Sequence, residues 1–311
     1  RALPRDYPST VEVLLRSLGP VLERTDGWGM EVFFYLPHVL YVAEHGVEHF
    51  EESMRAQHAL TQRFTAEFSI RAFLQRDPER TLARLREWAE EPSAHVRRLV
   101  SEGTRPRLPW APRLRAFQED PRPVLALLER LKDDPEEYVR RSVANNLNDI
   151  GKDHPALLVR VAEAWLKDAT PERERLIRHA LRSAVKRGEP EALAVLGAGR
   201  PTGIEVRATS LPRRAPLGGK VDVRFEVANR SRKSQKLVVD LAVFFLKARG
   251  EARPKVFKVR ALTLGPGQAE QLGRSVSFEQ LTTRRHYPGP HRFEVRVNGQ
   301  GLPLGEVLVT G

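Results

Sequence analysis

Leu74-Gln-Arg-Asp-Pro-Glu-Arg-Thr-Leu-Ala-Arg-Leu85 decides the fold, because the chain uses it twice. At an offset of 43 residues it aligns with Phe117-Gln-Glu-Asp-Pro-Arg-Pro-Val-Leu-Ala-Leu-Leu128. The match continues at the same offset, with Pro92, Val96, Arg97, Arg98 and Val100 answering Pro135, Val139, Arg140, Arg141 and Val143. A looser third copy starts near Asp153-His-Pro155 and runs through Pro171 to Ile177-Arg-His179, and Glu189-Pro190 opens a fourth. An acidic residue beside a proline suits a helix start: proline tolerates the first turn, and the acid complements the helix dipole. A second helix follows a short proline-marked turn. Two helices in about 40 residues is the HEAT-like period. One such unit cannot bury its apolar face alone, so units stack into a curved array whose concave wall suits an extended partner.

Working outward, residues 28–66 are helical but off-period. Trp28, Phe33, Phe34, Tyr35 and Leu36 read as a packing cluster, and the stretch to about residue 66 as an N-terminal cap rather than a binding surface. After Gly197-Ala-Gly-Arg-Pro-Thr-Gly203 the period changes to two, as in Val221-Asp-Val-Arg-Phe-Glu-Val227. Seven strands are expected: 204–211, 221–229, 236–246, 255–264, 269–278, 291–298 and 304–310. That number over about 110 residues suggests an immunoglobulin-like sandwich, with Tyr287 as a candidate tyrosine corner. The fold class is therefore multidomain: an all-α HEAT-like array in residues 1–200, then an all-β immunoglobulin-like sandwich in 201–311.

Charge divides the same way. The chain has 311 residues and a formal net charge of +12. Residues 1–200 hold 32 Lys/Arg against 31 Asp/Glu, and residues 201–311 hold 20 against 9. The excess cations lie in the sandwich, which points to a polyanionic partner for that module; charge added for solubility is the competing reading. There are no cysteines, which removes disulfides, thiol catalysis and thiolate metal sites. No apolar run approaches a membrane span. No signal peptide is visible, and the chain starts at Arg1 rather than Met, so an upstream segment is expected.

Four stretches carry candidate chemistry. In Ser101-Glu-Gly-Thr-Arg-Pro-Arg-Leu-Pro-Trp-Ala-Pro-Arg113, Gly103 should end a helix. Arg105, Arg107 and Arg113 can then meet phosphates while Trp110 lies on a sugar or base face. The alternative has Trp110 plugging a gap between repeats and the arginines capping helix ends; the prolines also fit a PxxP ligand pattern. In Arg140 to Asp153, Arg141, Asn145, Asn148, Asp149 and Lys152 share one helical stripe, either facing a ligand or forming an Arg–Asp ladder between repeats. In Phe64 to Phe73, Glu67 and Arg71 have the spacing of an ion pair. Arg175 to Arg182 is a basic stripe, with Arg178, His179 and Arg182 candidates for phosphate contact. The sequence has no Walker loop, no HExxH and no GxSxG elbow. His45 and His49 have helical spacing without the glutamate in register, which reads as an exposed helix face. Carboxylates are the acid–base groups left, with no cofactor or metal implied.

Glu67-Phe-Ser-Ile-Arg71, Arg97-Arg-Leu-Val-Ser-Glu-Gly-Thr-Arg-Pro-Arg-Leu-Pro-Trp110, Ala144-Asn-Asn-Leu-Asn-Asp-Ile-Gly-Lys-Asp-His-Pro155 and Arg178-His-Ala-Leu-Arg182 resemble the AlkC branch of the HEAT-like DNA alkylation repair glycosylases. The resemblance covers residues 28 to about 196, and some members also carry a C-terminal immunoglobulin-like domain. It implies a metal-free DNA glycosylase for cationic alkylated bases, 3-methyladenine and 3-methylcytosine, acting without full base flipping. It further implies Glu67, Glu102 and Asp149 as active-site carboxylates, Arg98 and Arg105 holding them or touching the DNA backbone, and Trp110 against the sugar of the damaged nucleotide. The expected partner is double-stranded DNA with alkylated bases, met by a cytoplasmic, nucleoid-associated monomer. A non-catalytic nucleic-acid-binding or scaffold protein on the same architecture, or a protein-binding adaptor, remains the alternative.

Overall fold

The computed structural model describes residues 3–25, 29–248, 250–280 and 285–311. Helices α1 (Tyr7–Arg16), α2 (Leu36–His45), α3 (Phe50–Thr61) and α4 (Ile70–Arg76) precede the repeats. Three two-helix units follow: α5 (Pro78–Trp88) with α6 (Ala94–Gly103); then, after the short α7 (Arg115–Glu119), α8 (Arg122–Leu131) with α9 (Glu137–Ile150); then α10 (Pro155–Leu166) with α11 (Pro171–Ala180). The acid–proline starts work as their chemistry requires. Asp77 accepts from the Arg80 amide at 3.2 Å, and Asp120 from the Arg122 amide at 3.0 Å, satisfying donors that a helix start leaves orphaned. The second helices form one layer, α6 against α9 and α9 against α11. Val96, Leu99, Val100, Val139, Val143 and Leu147 are fully buried there.

The N-terminal region differs from expectation. Trp28 lies outside the described residues. Phe33 does pack on Phe64, with ring centroids 5.2 Å apart, but Met30 is 75% and Phe34 67% exposed. Met30–Tyr35 is a 3-10 turn, whose threefold repeat cannot put successive side chains on one face. His45 and His49 do not share a helix face either. The helix α2 ends at His45 with Gly46 as its cap, and His49 precedes α3.

The C-terminal strands are β1 (Ile204–Ser210), β2 (Arg214–Pro216), β3 (Lys220–Asn229), β4 (Gln235–Leu246), β5 (Ala252–Leu264), β6 (Ala269–Ser277), β7 (Gly289–Val297) and β8 (Gln300–Thr310). One sheet has the order β1-β3-β6 and the other β2-β8-β7-β4-β5. Seven agree with the alternation in the sequence. The additional β2 is three residues long and pairs in parallel with β8, too short to display a period. Val223, Phe225, Leu241, Val243, Phe293 and Val295 build the core between the sheets. Without a Cys–Trp–Cys centre, rings fill the space: Phe245 meets His286 at 4.9 Å, and Phe278 meets His291 at 5.0 Å. The buried ring at this corner is His286, at 4% exposure, rather than the expected Tyr287.

The change of period and the change of compact unit do not coincide. The helices end by residue 200, but the chain divides into Arg1–Arg182 and Ser183–Gly311. The last helices, α12 (Arg182–Arg187) and α13 (Pro190–Val195), fall largely in the second unit. Lys236 donates to the Leu196 carbonyl and Asn298 to that of Gly199, each at 2.7 Å. The helical signal therefore overshoots the first unit.

Candidate active site

Glu67 sits in the turn leading into α4, Arg98 and Glu102 lie one turn apart on α6, Arg105 follows the end of α6, and Asp149 is near the end of α9. These elements bring the five side chains into one alternating chain of charge. Arg98 reaches Glu67 at 2.7 Å and Glu102 at 3.6 Å. Arg105 donates to Glu102 at 2.6 Å and to Asp149 at 2.8 Å. Lys152 closes the solvent end, 2.8 Å from Asp149. Hydroxyls fix the anions: Thr65 donates to Glu67 at 2.8 Å and Ser142 to Glu102 at 2.6 Å. The Arg98 guanidinium lies 5.3 Å from the centre of the Tyr138 ring, a cation–π distance.

Glu102 is 5% and Asp149 1% exposed. Burial alone would raise the Glu102 carboxyl pKa, but Arg98 and Arg105 outweigh it and hold the group below its ordinary value. Burial likewise opposes the charge on Arg98, which Glu67 and Glu102 overcome, so its pKa lies above the ordinary one. Buried ion pairs repay their desolvation poorly, and apolar residues would commonly serve stability as well. A chain of them, hydrogen-bonded at each end, is better explained by chemistry than by folding. Among the described residues, no group of three His, Asp or Glu is placed to hold a metal ion.

Known proteins resemble both parts of the chain. A family model described as DNA alkylation repair enzyme matches residues 58–187, and one described as the C-terminal Ig-like domain of the uncharacterised protein YhaZ matches residues 205–310. The uncharacterized protein YhaZ of Bacillus subtilis is 42% identical over 261 residues, spanning 84% of this chain and 72% of that one. The alkylpurine DNA glycosylase AlkC of Pseudomonas fluorescens, solved bound to DNA containing an abasic site analog, superposes with a TM-score of 0.89. It is 39% identical, over 99% of this chain and 84% of that one. This chain belongs to the AlkC-type DNA alkylation repair enzymes.

In this AlkC-type chain the side chains singled out from sequence divide into groups. Glu67 pairs with Arg98 rather than with Arg71, because residues 66–69 form a turn and the i,i+4 geometry of a helix does not apply there. Arg98 and Arg105 are spent on carboxylates. Trp110 is 90% exposed, with φ at 63°, so it plugs no gap. Arg107 is held by Asp153, its Nε donating at 2.9 Å, and Arg97 by Asp134 at 2.6 Å; the Arg–Asp ladder between repeats thus exists alongside the site. Arg113 is exposed. Arg141 and Arg178 are exposed and pair along their own helices with Glu137 and Glu174.

Asn145 accepts from Arg182 at 2.9 Å and bonds His179 at 3.0 Å. Burial, with Arg182 and Arg141 nearby, lowers the His179 pKa and so favours the neutral imidazole. Asn148 departs from expectation. It is 3% exposed and its amide donates to the Ala180 carbonyl at 2.8 Å, which removes it from the side chains able to meet a phosphate. Sequence reasoning missed Thr65, Ser142, Tyr138 and the use made of Arg71. Ser142 lies two helical turns before Asp149, a spacing that was available as a signal.

Proposed function

We propose that this DNA glycosylase hydrolyses the N-glycosidic bond of cationic alkylated bases, 3-methyladenine and 3-methylcytosine, in double-stranded DNA. In this reading it works as a monomer in the cytoplasm and without turning the nucleotide fully out of the duplex. The observation that carries the reading is the row Glu67–Arg98–Glu102–Arg105–Asp149, half-buried at Glu67 and Arg98 and buried from Glu102 on, from which the loop bearing an exposed Trp110 departs. A base alkylated at N3 is already positive. When its bond to C1′ breaks, it leaves neutral, and no acid need protonate it. The remaining tasks are to stabilise an oxocarbenium-like sugar and to aim a water whose oxygen bonds C1′ and whose proton passes to a carboxylate.

At about 4 Å and an effective dielectric near 20, one unit charge stabilises another by roughly 4 kcal/mol, an upper bound of about three decades in rate. Three carboxylates together would repel one another; the interleaved Arg98 and Arg105 offset that repulsion and hold the Glu102 carboxyl below its ordinary pKa against burial. Trp110 would turn a negative ring face toward the developing charge. Base release from methylated duplex DNA tests the reading. A protein that binds this DNA but frees 3-methyladenine no faster than the uncatalysed reaction would be a binder, not an enzyme. Trp110→Ala is expected to lower kcat/KM by about 10- to 100-fold, in line with a stacking interaction of about 1–3 kcal/mol.

The sandwich would supply grip through phosphates. Its excess of cations supports this, as does a cavity of about 700 Å³ lined by Lys186, Arg187, Lys247, Lys255 and Arg296. Removing residues 183–311, a cut that follows the compact units, should weaken duplex binding. It should also flatten the fall of log K with log salt, by about 0.9 for each phosphate that is no longer neutralised. An unchanged affinity and slope would show that this domain serves something else.

A further inference from the structure

Trp110 poses a physical problem. A φ of 63° in a bulky residue costs on the order of 1–3 kcal/mol. Its indole is 90% exposed, so burial of the side chain does not compensate. Whatever holds the loop on either side must impose the conformation. One side chain reaches both sides. Arg71 on α4 is 3% exposed. Its Nη1 donates to the carbonyls of Gly103 at 3.1 Å and Arg105 at 2.7 Å, ahead of the indole. Its Nη2 donates to the carbonyl of Pro112, beyond it.

Local chemistry explains why this residue can do so. A Cβ on Gly103 would lie 2.5 Å from the Ile70 side chain, so glycine there allows α4 to close on the end of α6. Only arginine offers donors in a planar fork; a lysine ammonium has three donors on one atom and cannot span three carbonyls. The arrangement is costly. Burial lowers the Arg71 pKa to about 10, with Glu67 opposing the fall, and its Nε has no hydrogen-bond partner. A residue kept for core stability alone would be apolar.

We infer that Arg71 is a positioning residue for this reaction: its guanidinium ties the carbonyls of Gly103, Arg105 and Pro112, and so sets Trp110 relative to the carboxylates. The inference deepens the proposed function and rests on the reading that Trp110 meets the lesion.

The test uses the full chain labelled with 5-fluorotryptophan. The Trp110 fluorine line is assigned by its loss in Trp110→Phe. In Arg71→Met that line should shift or broaden, while those of Trp88 and Trp165, each 5% exposed, stay in place. Single-turnover base release should fall by about 100-fold while DNA affinity holds. The same substitution in a Trp110→Ala background should cost far less, since the tie then has no indole to place. Arg71→Lys should behave like Arg71→Met.

An unmoved Trp110 line, or an equal loss of rate in both backgrounds, overturns the inference. Collapse of all lines in both Arg71 variants also overturns it, since Arg71 would then be a general stabiliser. If Trp110→Ala alone leaves base release unchanged, the reading of Trp110 fails, and the fluorine lines still decide whether Arg71 ties the loop.

Discussion

Glu102→Gln is expected to stop base release, by at least about 10²- to 10³-fold, while the protein stays folded and still binds duplex DNA. The magnitude is that of removing a preorganised charge from a site where charge develops in the transition state. The fold survives for a reason visible in the chain of charges. Arg98 keeps Glu67 at 2.7 Å and Arg105 keeps Asp149 at 2.8 Å, so neither guanidinium is stranded. A glutamine oxygen can still accept from Ser142, as the carboxylate does at 2.6 Å. What disappears is the negative charge between two arginines, and its place is taken by an amide whose NH₂ faces other donors. Single-turnover release of 3-methyladenine, alongside a binding isotherm and a melting curve, separates these effects. A variant rate within tenfold of wild type would remove Glu102 from the chemistry.

Much of the fold was legible because its signals are local. Asp77-Pro78 and Asp120-Pro121 announce helix starts, and the structure begins α5 at Pro78 and α8 at Arg122. Alternation in β3 gives its buried face residue by residue. Where the reading failed, local spacing was asked to settle a tertiary question. Glu67 and Arg71 have ion-pair spacing only if one helix holds both, and α4 starts at Ile70. Asn148 and Asp149 are adjacent, so about 100° of helix separates them; both are buried, but one serves the Ala180 carbonyl and the other Arg105. The hydroxyl of Thr65 carries no pattern that names a partner, and the spacing of Ser142 from Asp149 gives its helix face without naming Glu102 as the acceptor. The apolar residues of α12 and α13, Ala184, Ala192 and Leu193, are buried, and their period does not say which unit they are buried in. The carboxylates themselves were identified by resemblance to a family. Periodicity placed Glu102 and Asp149 on helices, but it did not show that Glu67 lies in a turn or that two arginines would join the three.

Arg105→Met is expected to cost the fold about 3–5 kcal/mol, the penalty for leaving buried charge uncompensated, and to change how stability responds to acid. In the wild type the folded Glu102 carboxyl lies below its ordinary value of 4.5. The stability it contributes is therefore present above its unfolded pKa and is lost as pH falls through the folded one. In the variant, Glu102 and Asp149 lose the guanidinium they share. Burial, the largest influence on Glu102, is then opposed chiefly by Arg98, and the carboxyl pKa rises. A carboxyl whose folded pKa exceeds its unfolded pKa destabilises at high pH, and protonation relieves the penalty. The gap in Tm between wild type and variant should be widest near pH 8 and should narrow toward pH 5. Thermal melts across that range read it directly. A gap that does not change with pH would mean that Arg105 contributes through its packed aliphatic stem. The carboxylates would then not be sensing charge at these distances, and an electrostatic stabilisation of the sugar cation by the same groups would lose its basis.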